Sequence, residues 1–248
     1  MAPVTDAEHR EARRIAASAG DLLVSLRQRP LPVDALRADG DKLSNVAILD
    51  AIHARFPDDP ILSEESPDDQ ARLNAGRVWI VDPLDGTREY GELDRSDWAV
   101  HVALAVDGWP VVGAVALPAL GQLLSTAEPP PLPAARPSPR ILVSRSRAPA
   151  WTSELAHYLH GELIPMGSAG AKAMAVVRGE AEVYAHSGGQ YEWDSAAPVA
   201  VALAAGLHAS RLDGSPLLYN RPNPWLPDLL ICQPALAEQI LAFFRGRE

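Results

Sequence analysis

The sequence predicts an α/β protein, a layered αβαβα sandwich in which an N-terminal α+β part with a largely antiparallel sheet packs on a C-terminal α/β part. Three observations lead there. Short β-branched runs alternate with segments whose apolar residues recur at helical spacing. Apolar runs at 98–106 and 111–117 flank Asp107-Gly108-Trp109-Pro110, a hairpin signal that makes the early sheet antiparallel. Beyond residue 140, strands and helices succeed one another. With 248 residues the chain is long enough for one large domain or two closely packed smaller ones.

Thr5 and Glu8 form a capping-box pattern ahead of Ile15, Ala19, Leu22, Leu23 and Leu26, predicting a helix that ends near Leu26. Pro30 and Pro32 break the chain. Residues 38–41 read as a polar loop before a second helix with Ile48, Leu49, Ile52 and Phe56 on one face, which Pro57 closes; Asp41 either caps that helix or belongs to a metal pocket. Pro60 to Ser63 is a short strand ending in Glu64-Glu65. Val78-Trp79-Ile80-Val81 is a buried strand that stops at Asp82. Gln122 to Ser125 extends the sheet after the hairpin.

Residues 128–140 hold six prolines and almost no periodicity, so they read as a loop dividing an N-terminal part, 1–127, from a C-terminal part, 141–248. The second part reads as strand 141–143, helix 149–160, strand 163–164, helix 169–178, strand 181–185 and a helix from Asp194 to Gly206. Asp213-Gly214 suggests a hairpin turn before strand 229–231, and helix 234–244 starts with proline at its first position.

Composition excludes several classes of function. A net charge of −10 opposes binding to nucleic-acid polymers and anionic membranes. A small anionic substrate then needs a local cation. Cys232 is the single cysteine, so neither an internal disulfide nor a thiolate zinc site can form. No signal core and no long apolar run is present, which makes the expected location cytoplasmic.

The chemistry concentrates where apolar runs meet acids. In Asp82-Pro83-Leu84-Asp85-Gly86-Thr87, Pro83 turns the chain, Gly86 permits positive φ, and the loop can aim two carboxylates and the Leu84 carbonyl into one space. Such an all-oxygen set suits a hard cation such as magnesium. A simple type I turn is the plainer alternative. Glu64-Glu65 and Trp193-Asp194 share this context, although a first-turn acidic pair and an N-cap for Ser195 to Ala205 would account for them singly.

Together, Ser63-Glu64-Glu65-Ser66, Asp82 to Thr87 and Trp193-Asp194-Ser195-Ala196-Ala197-Pro198 resemble the magnesium-dependent, lithium-sensitive phosphatase superfamily of the inositol monophosphatases. Gly188-Gly189-Gln190-Tyr191-Glu192-Trp193-Asp194 and the run from Gly206 through Leu218 are most similar to its actinobacterial CysQ-type members, which act on 3′-phosphoadenosine 5′-phosphate. That resemblance implies two or three Mg2+ ions bound by Glu64, Asp82, the Leu84 carbonyl, Asp85 and Asp194, with Asp82 bridging. It also implies that Thr87, helped by Glu64 and Asp41, orients the attacking water, and that the protein is a homodimer. Two departures stand out: Arg37-Ala38-Asp39-Gly40-Asp41 keeps the aspartate but lacks the threonine of a Val-Thr-X-X-Asp segment, and the proline stretch replaces the connection after Ser125.

Substrate contacts are expected from Gly86, Thr87, Arg88, Ser168, Lys172 and His186. An N-cap serine, a solvated lysine, a surface histidine and a salt-bridged Arg88 are the plainer readings, and Ser144-Arg145-Ser146-Arg147 is either a phosphate loop or an exposed turn. Seven residues before Asp194, where inositol monophosphatases place a glutamate that reads ring hydroxyls, this chain has Ser187. The expected substrate order is therefore the bisphosphorylated nucleotide, then fructose 1,6-bisphosphate, then inositol phosphate. A non-catalytic metal- and nucleotide-binding regulator is the alternative from another class, and the intact acids with Thr87 argue against it.

Overall fold

Thr5 caps α1 (Asp6–Arg27): its hydroxyl accepts from the Ala7 N–H, and Glu8 reaches back to the Thr5 N–H at 3.0 Å. Ala12, Ile15, Ala19, Leu23 and Leu26 lie on its buried face. The structure, a computed structural model, describes residues 4–247.

α2 (Val33–Arg55) corrects the reading of 38–41 as a loop: these residues lie inside the helix, and Asp41 sits in its middle instead of capping it. The buried row is Leu36, Gly40, Ser44, Ile48 and Ile52, an i, i+4 series in which two members are not apolar. Gly40 is there for contact. A Cβ at that position would lie 2.8 Å from the Tyr90 ring and 3.0 Å from a Leu84 methyl.

The first sheet runs in chain order: β1 (Ile61–Ser63), β2 (Arg77–Asp85), β3 (Ala99–Val106), β4 (Trp109–Leu117) and β5 (Gln122–Ser125). β1 is parallel to β2 and the remaining pairs are antiparallel. A four-residue helix, α3 (Thr87–Tyr90), follows β2. Residues 129–139 contain no helix or strand.

The second sheet has the order β7-β6-β8-β10-β9, from β6 (Arg140–Ser144), β7 (Glu162–Met166), β8 (Val183–Tyr191), β9 (His208–Ser210) and β10 (Trp225–Cys232). Its helices are α4 (Thr152–Tyr158), α5 (Ala169–Val177), α6 (Glu192–Ala204) and α7 (Pro234–Arg245). Asp213-Gly214 does turn the chain, but a long connection separates it from β10, so it is not the tip of a tight hairpin.

Three buried cores set the layers. Trp79, Val81, Val102 and Leu104 face α1 and α2 from the first sheet. Val78, Ile80 and Val115 point the other way, onto Met174 and Val176 of α5 and Val199 and Val201 of α6, which the second sheet covers with Leu142, Tyr184, Leu229 and Ile231. Ile141, Val143, Leu230 and Cys232 face the outer pair, α4 and α7, through Leu155 and Ile240. The order is thus α, β, α, β, α, as expected. β2 is buried on both faces, which explains why Val78 to Val81 is unbroken in its apolar character.

Candidate active site

Two strands run further than their apolar stretches suggested. β2 continues past Asp82 to Asp85 through a register shift, so that Asp82 faces His101 and Asp85 faces Ala99 across the ladder. The turn comes afterwards, at Gly86, with φ of 86°. β8 likewise runs to Tyr191, opposite a second irregularity in β10. α6 therefore starts at Glu192, and Asp194 is its third residue rather than its cap; its Oδ2 accepts the Tyr191 N–H at 2.7 Å. Glu64-Glu65 lies in a turn beyond β1, not in the first turn of a helix.

These placements bring Glu64, Asp82, Asp85 and Asp194 to one cleft of about 550 Å³, which Leu84, Gly86, Thr87, Arg88, Ser168, Lys172 and His186 also line. Asp82, Asp85 and Asp194 each offer an oxygen within 4.8 Å of the others. Burial raises Asp82 well above its ordinary value, and repulsion from Glu64, Asp85 and Asp194 adds to this. Burial likewise lifts Asp194 to about 7, with Asp85 repelling it. Glu64 rises to about 7 through burial in the cleft and repulsion from Asp194 and Asp85, although it keeps a solvent-exposed side. Such crowding of acids favours a cation.

Asp85 behaves oppositely. Burial would raise it, but its neighbours hold it down at about 2. Its Oδ2 accepts from the Ser168 hydroxyl and, at 2.6 Å, from the Gly170 N–H, while Oδ1 accepts from the Ala169 N–H at 3.1 Å. Asp85 therefore seats on the first turn of α5, where a negative charge is favoured. Of roughly four acceptor positions on a carboxylate, three are taken, leaving one for a cation. His101 Nε2 lies 3.2 Å from the same Oδ2, close enough for an ion pair but not aligned as a hydrogen bond, while its Nδ1 is 3.0 Å from the Trp193 carbonyl. Burial opposes the charged imidazole, yet the contact with Asp85 raises its pKa overall. A Cβ on Gly170 would come 2.0 Å from Nε2, so only glycine admits the ring.

Thr87 Oγ1 is 3.0 Å from Asp41 Oδ1 and 3.1 Å from the Leu84 carbonyl. Asp41 reaches it from α2 despite the missing threonine in its segment. Burial lifts Asp41 to about 6, and the Thr87 contact limits the rise.

The expected substrate contacts divide. Ser168 caps α5, accepting the Ala171 N–H, and donates to Asp85. Lys172 is 4% exposed rather than solvated, and its ammonium donates to the carbonyls of Met166, Gly167 and Ser168. With those donors spent, it offers the cleft charge more than hydrogen bonds, and burial drops it to about 8. Arg88 is exposed and pairs with Glu92 at 3.6 Å. In the 144–147 loop, Arg145 is held by Glu89 at 2.6 Å and Glu92 at 3.1 Å, whereas Arg147 lines the cleft with no carboxylate partner among the described residues. His186 is buried, not on the surface.

Sequence reading passed over His101 and Glu89. The only signal for His101 was one titratable residue in the apolar run 98–106, and for Glu89 none existed beyond its place after Thr87.

Carboxylate oxygens gathered in a cleft between the two sheets of a five-layered sandwich fit the class of metal-dependent phosphatases. The sequence pattern of the inositol monophosphatase family matches residues 12–246, and the chain belongs to that family. It is 46% identical to a 3′-phosphoadenosine 5′-phosphate phosphatase of Mycobacterium leprae, over 99% of this chain and 95% of the relative. It is 32% identical to the 3′(2′),5′-bisphosphate nucleotidase CysQ of Escherichia coli, over 86% of this chain and 94% of the relative. Its fold matches CysQ of Bacteroides thetaiotaomicron with a TM-score of 0.75 at 27% identity, covering 92% of this chain and 97% of that one.

Proposed function

We propose that the protein is a magnesium-dependent phosphomonoesterase that removes the 3′-phosphate of 3′-phosphoadenosine 5′-phosphate, giving AMP and phosphate, in sulfate assimilation in the cytoplasm. The observation that carries the chemistry is the convergence of Asp82, Asp85 and Asp194 within 4.8 Å in a cleft that Glu64 also lines. The names of the relatives from Mycobacterium leprae and Escherichia coli support the substrate.

The acids fit the cation. Glu64, Asp82 and Asp194 have pKa values raised chiefly by burial, with repulsion among the acids, and every donor in the set is an oxygen. Glu64, Asp82, the Leu84 carbonyl, Asp85 and Asp194 would hold two or three Mg2+ ions, with Asp82 between them. When bound, these ions neutralise phosphoryl charge, stabilise the leaving oxygen and acidify water.

The chain supplies position. Above about pH 6 Asp41 is a carboxylate that takes the Thr87 proton into its hydrogen bond, so a lone pair on Thr87 Oγ1 is free to accept from the attacking water. Glu64, at the solvent side of the cleft, helps orient that water. The backbone N–H groups of Gly86 and Thr87 meet phosphate oxygens, since glycine puts no side chain in the way. Lys172 contributes buried positive charge, and Arg88 and the unpaired Arg147 remain for the second phosphate. A homodimer, implied by the resemblance, belongs to the same proposal.

A phosphate-release panel at equal magnesium tests the substrate. We expect kcat/KM to fall from 3′-phosphoadenosine 5′-phosphate to fructose 1,6-bisphosphate to inositol phosphate. Where a hydroxyl-reading acid is expected, Ser187 instead accepts the Trp151 N–H at 3.0 Å. Loss of a charged acceptor weakens discrimination by ~1.5–3 kcal/mol. An inositol phosphate value at or above the nucleotide's overturns the assignment, and no release from any ester would favour a binding regulator.

A further inference from the structure

Of the four acids proposed to hold the cation, Glu64 has the weakest backbone support. Asp82 and Asp85 lie in β2 and Asp194 in the first turn of α6. Glu64 instead follows β1, a three-residue strand at the sheet edge, and its N–H lies a long 3.4 Å from the Val81 carbonyl. Its place therefore has to be set by side chains around it. Nearby, Asn45 of α2 accepts from the Ser63 hydroxyl at 2.7 Å and donates to the Ser66 hydroxyl at 3.0 Å. Beyond Ser66 the segment is tied to the other half of the molecule.

That tie is Arg72, a fully buried residue in the short helix Gln70–Asn74. Its guanidinium donates to the two oxygens of Asp68 at 2.6 and 2.8 Å, to Asn220 Oδ1 at 2.7 Å and to the Arg221 carbonyl at 3.0 Å. Asn220 returns the contact, its amide donating to the Arg72 carbonyl at 3.1 Å. A guanidinium only donates and a carbonyl only accepts, so these two contacts fix which way the Asn220 amide faces. Glu192, 1% exposed at the start of α6, then accepts the N–H groups of Asn220 at 2.7 Å and Arg221 at 2.8 Å. A continuous chain of hydrogen bonds thus runs from Asp68, four residues after Glu64, to Glu192, two residues before Asp194. Burying a guanidinium costs more than an apolar filling of the same space. What the planar fork adds is a fixed direction between the groups it joins.

We propose that Arg72 is a positioning residue for the cation: through Asp68 and Asn220 it sets Glu64, from one half of the chain, against Asp194, from the other. This rests on the magnesium reading of the cleft. Arg72 does not line the cleft, so its effect belongs in cation affinity and not in turnover once the cation is bound.

Replacing Arg72 itself would strand Asp68 and endanger the fold, so the cleaner cut is Asn220→Gly. Asn220 has a φ of 58°, which glycine adopts without strain, and the substitution removes only the side-chain link to Arg72. Magnesium binding is measured by calorimetry in the wild type, Asn220→Gly, Glu64→Gln and the double variant, with phosphate release followed at saturating magnesium. Asn220→Gly should bind magnesium ~10-fold more weakly while keeping most of kcat at saturation. Asn220→Asp, which keeps an acceptor for Arg72, should stay within ~2-fold of the wild type. In the Glu64→Gln background, Asn220→Gly should add less than ~2-fold, because the path it acts through is already cut. Unchanged affinity in Asn220→Gly overturns the proposal. So does the same loss in both backgrounds, which would make the link a support of the fold alone. A wild type that binds no magnesium removes the magnesium reading itself, a failure distinct from these, and takes this proposal with it.

Discussion

Asp82 is the residue on which the site turns. It is 1% exposed, faces His101 across the ladder, and stands among three other acids. Replacing it by asparagine keeps the shape and the Leu84 N–H contact but removes the charge that would join the cations. Asp82→Asn should fall below a tenth of wild-type activity, a loss above ~1.4 kcal/mol of barrier. In metal-free buffer its melting temperature should not drop, because the substitution relieves repulsion. Residual activity above a tenth, measured by phosphate release, contradicts the bridging role. The acids were legible from sequence since each follows an apolar run, but their partners were not. Nothing in the order of residues says that His101 and the first turn of α5 would hold Asp85 down while Asp82 and Asp194 stay raised.

At the scale of elements, α2 gives the sharpest contrast between pattern and packing. Its second half was legible because Ile48 and Ile52 are apolar, while its first half was hidden by Gly40 and Ser44 in the buried row. By intrinsic propensity Gly40→Ala should stabilise the helix by about 1 kcal/mol. The added methyl instead meets the Tyr90 ring at 2.8 Å, and that ring is pinned by its hydroxyl on the Leu23 carbonyl at 2.9 Å. The substitution should therefore destabilise by ~1–3 kcal/mol. A denaturant midpoint that rises would contradict the close contact of α2 with the Tyr90 ring. β2 and β8 were underestimated for a related reason, since both continue through register shifts where polar residues follow the apolar run.

The molecule as a whole links acid titration to metal. The halves we propose, 1–127 and 141–248, share one core through α5 and α6, so strain among the acids is borne by the entire fold. Glu64 and Asp194 are raised to about 7 and Asp82 is raised as well. Their contribution to stability is full below the ordinary carboxylate values near 4 and is lost as pH rises through about 7. Asp85, lowered to about 2, contributes above its ordinary value and fails only in strong acid. Metal-free protein should thus lose stability between about pH 4 and pH 7. Magnesium binds the deprotonated acids, so the melting temperature it adds should be larger at pH 8 than at pH 5. Equal increments at both pH values would mean that the cation binds elsewhere. Among the described residues no helix is long and apolar enough to cross a membrane.

The claim that the acidic cleft performs phosphate-ester hydrolysis through bound divalent cations is tested most directly by one titration. Phosphate release from 3′-phosphoadenosine 5′-phosphate is followed in chelator-treated protein as magnesium is returned, in wild type and in Asp82→Asn. We expect no turnover without metal, full recovery in the wild type, and less than a tenth of that recovery in the variant at any magnesium concentration. Undiminished turnover in chelator, or a variant restored to wild-type rate by magnesium, would contradict it.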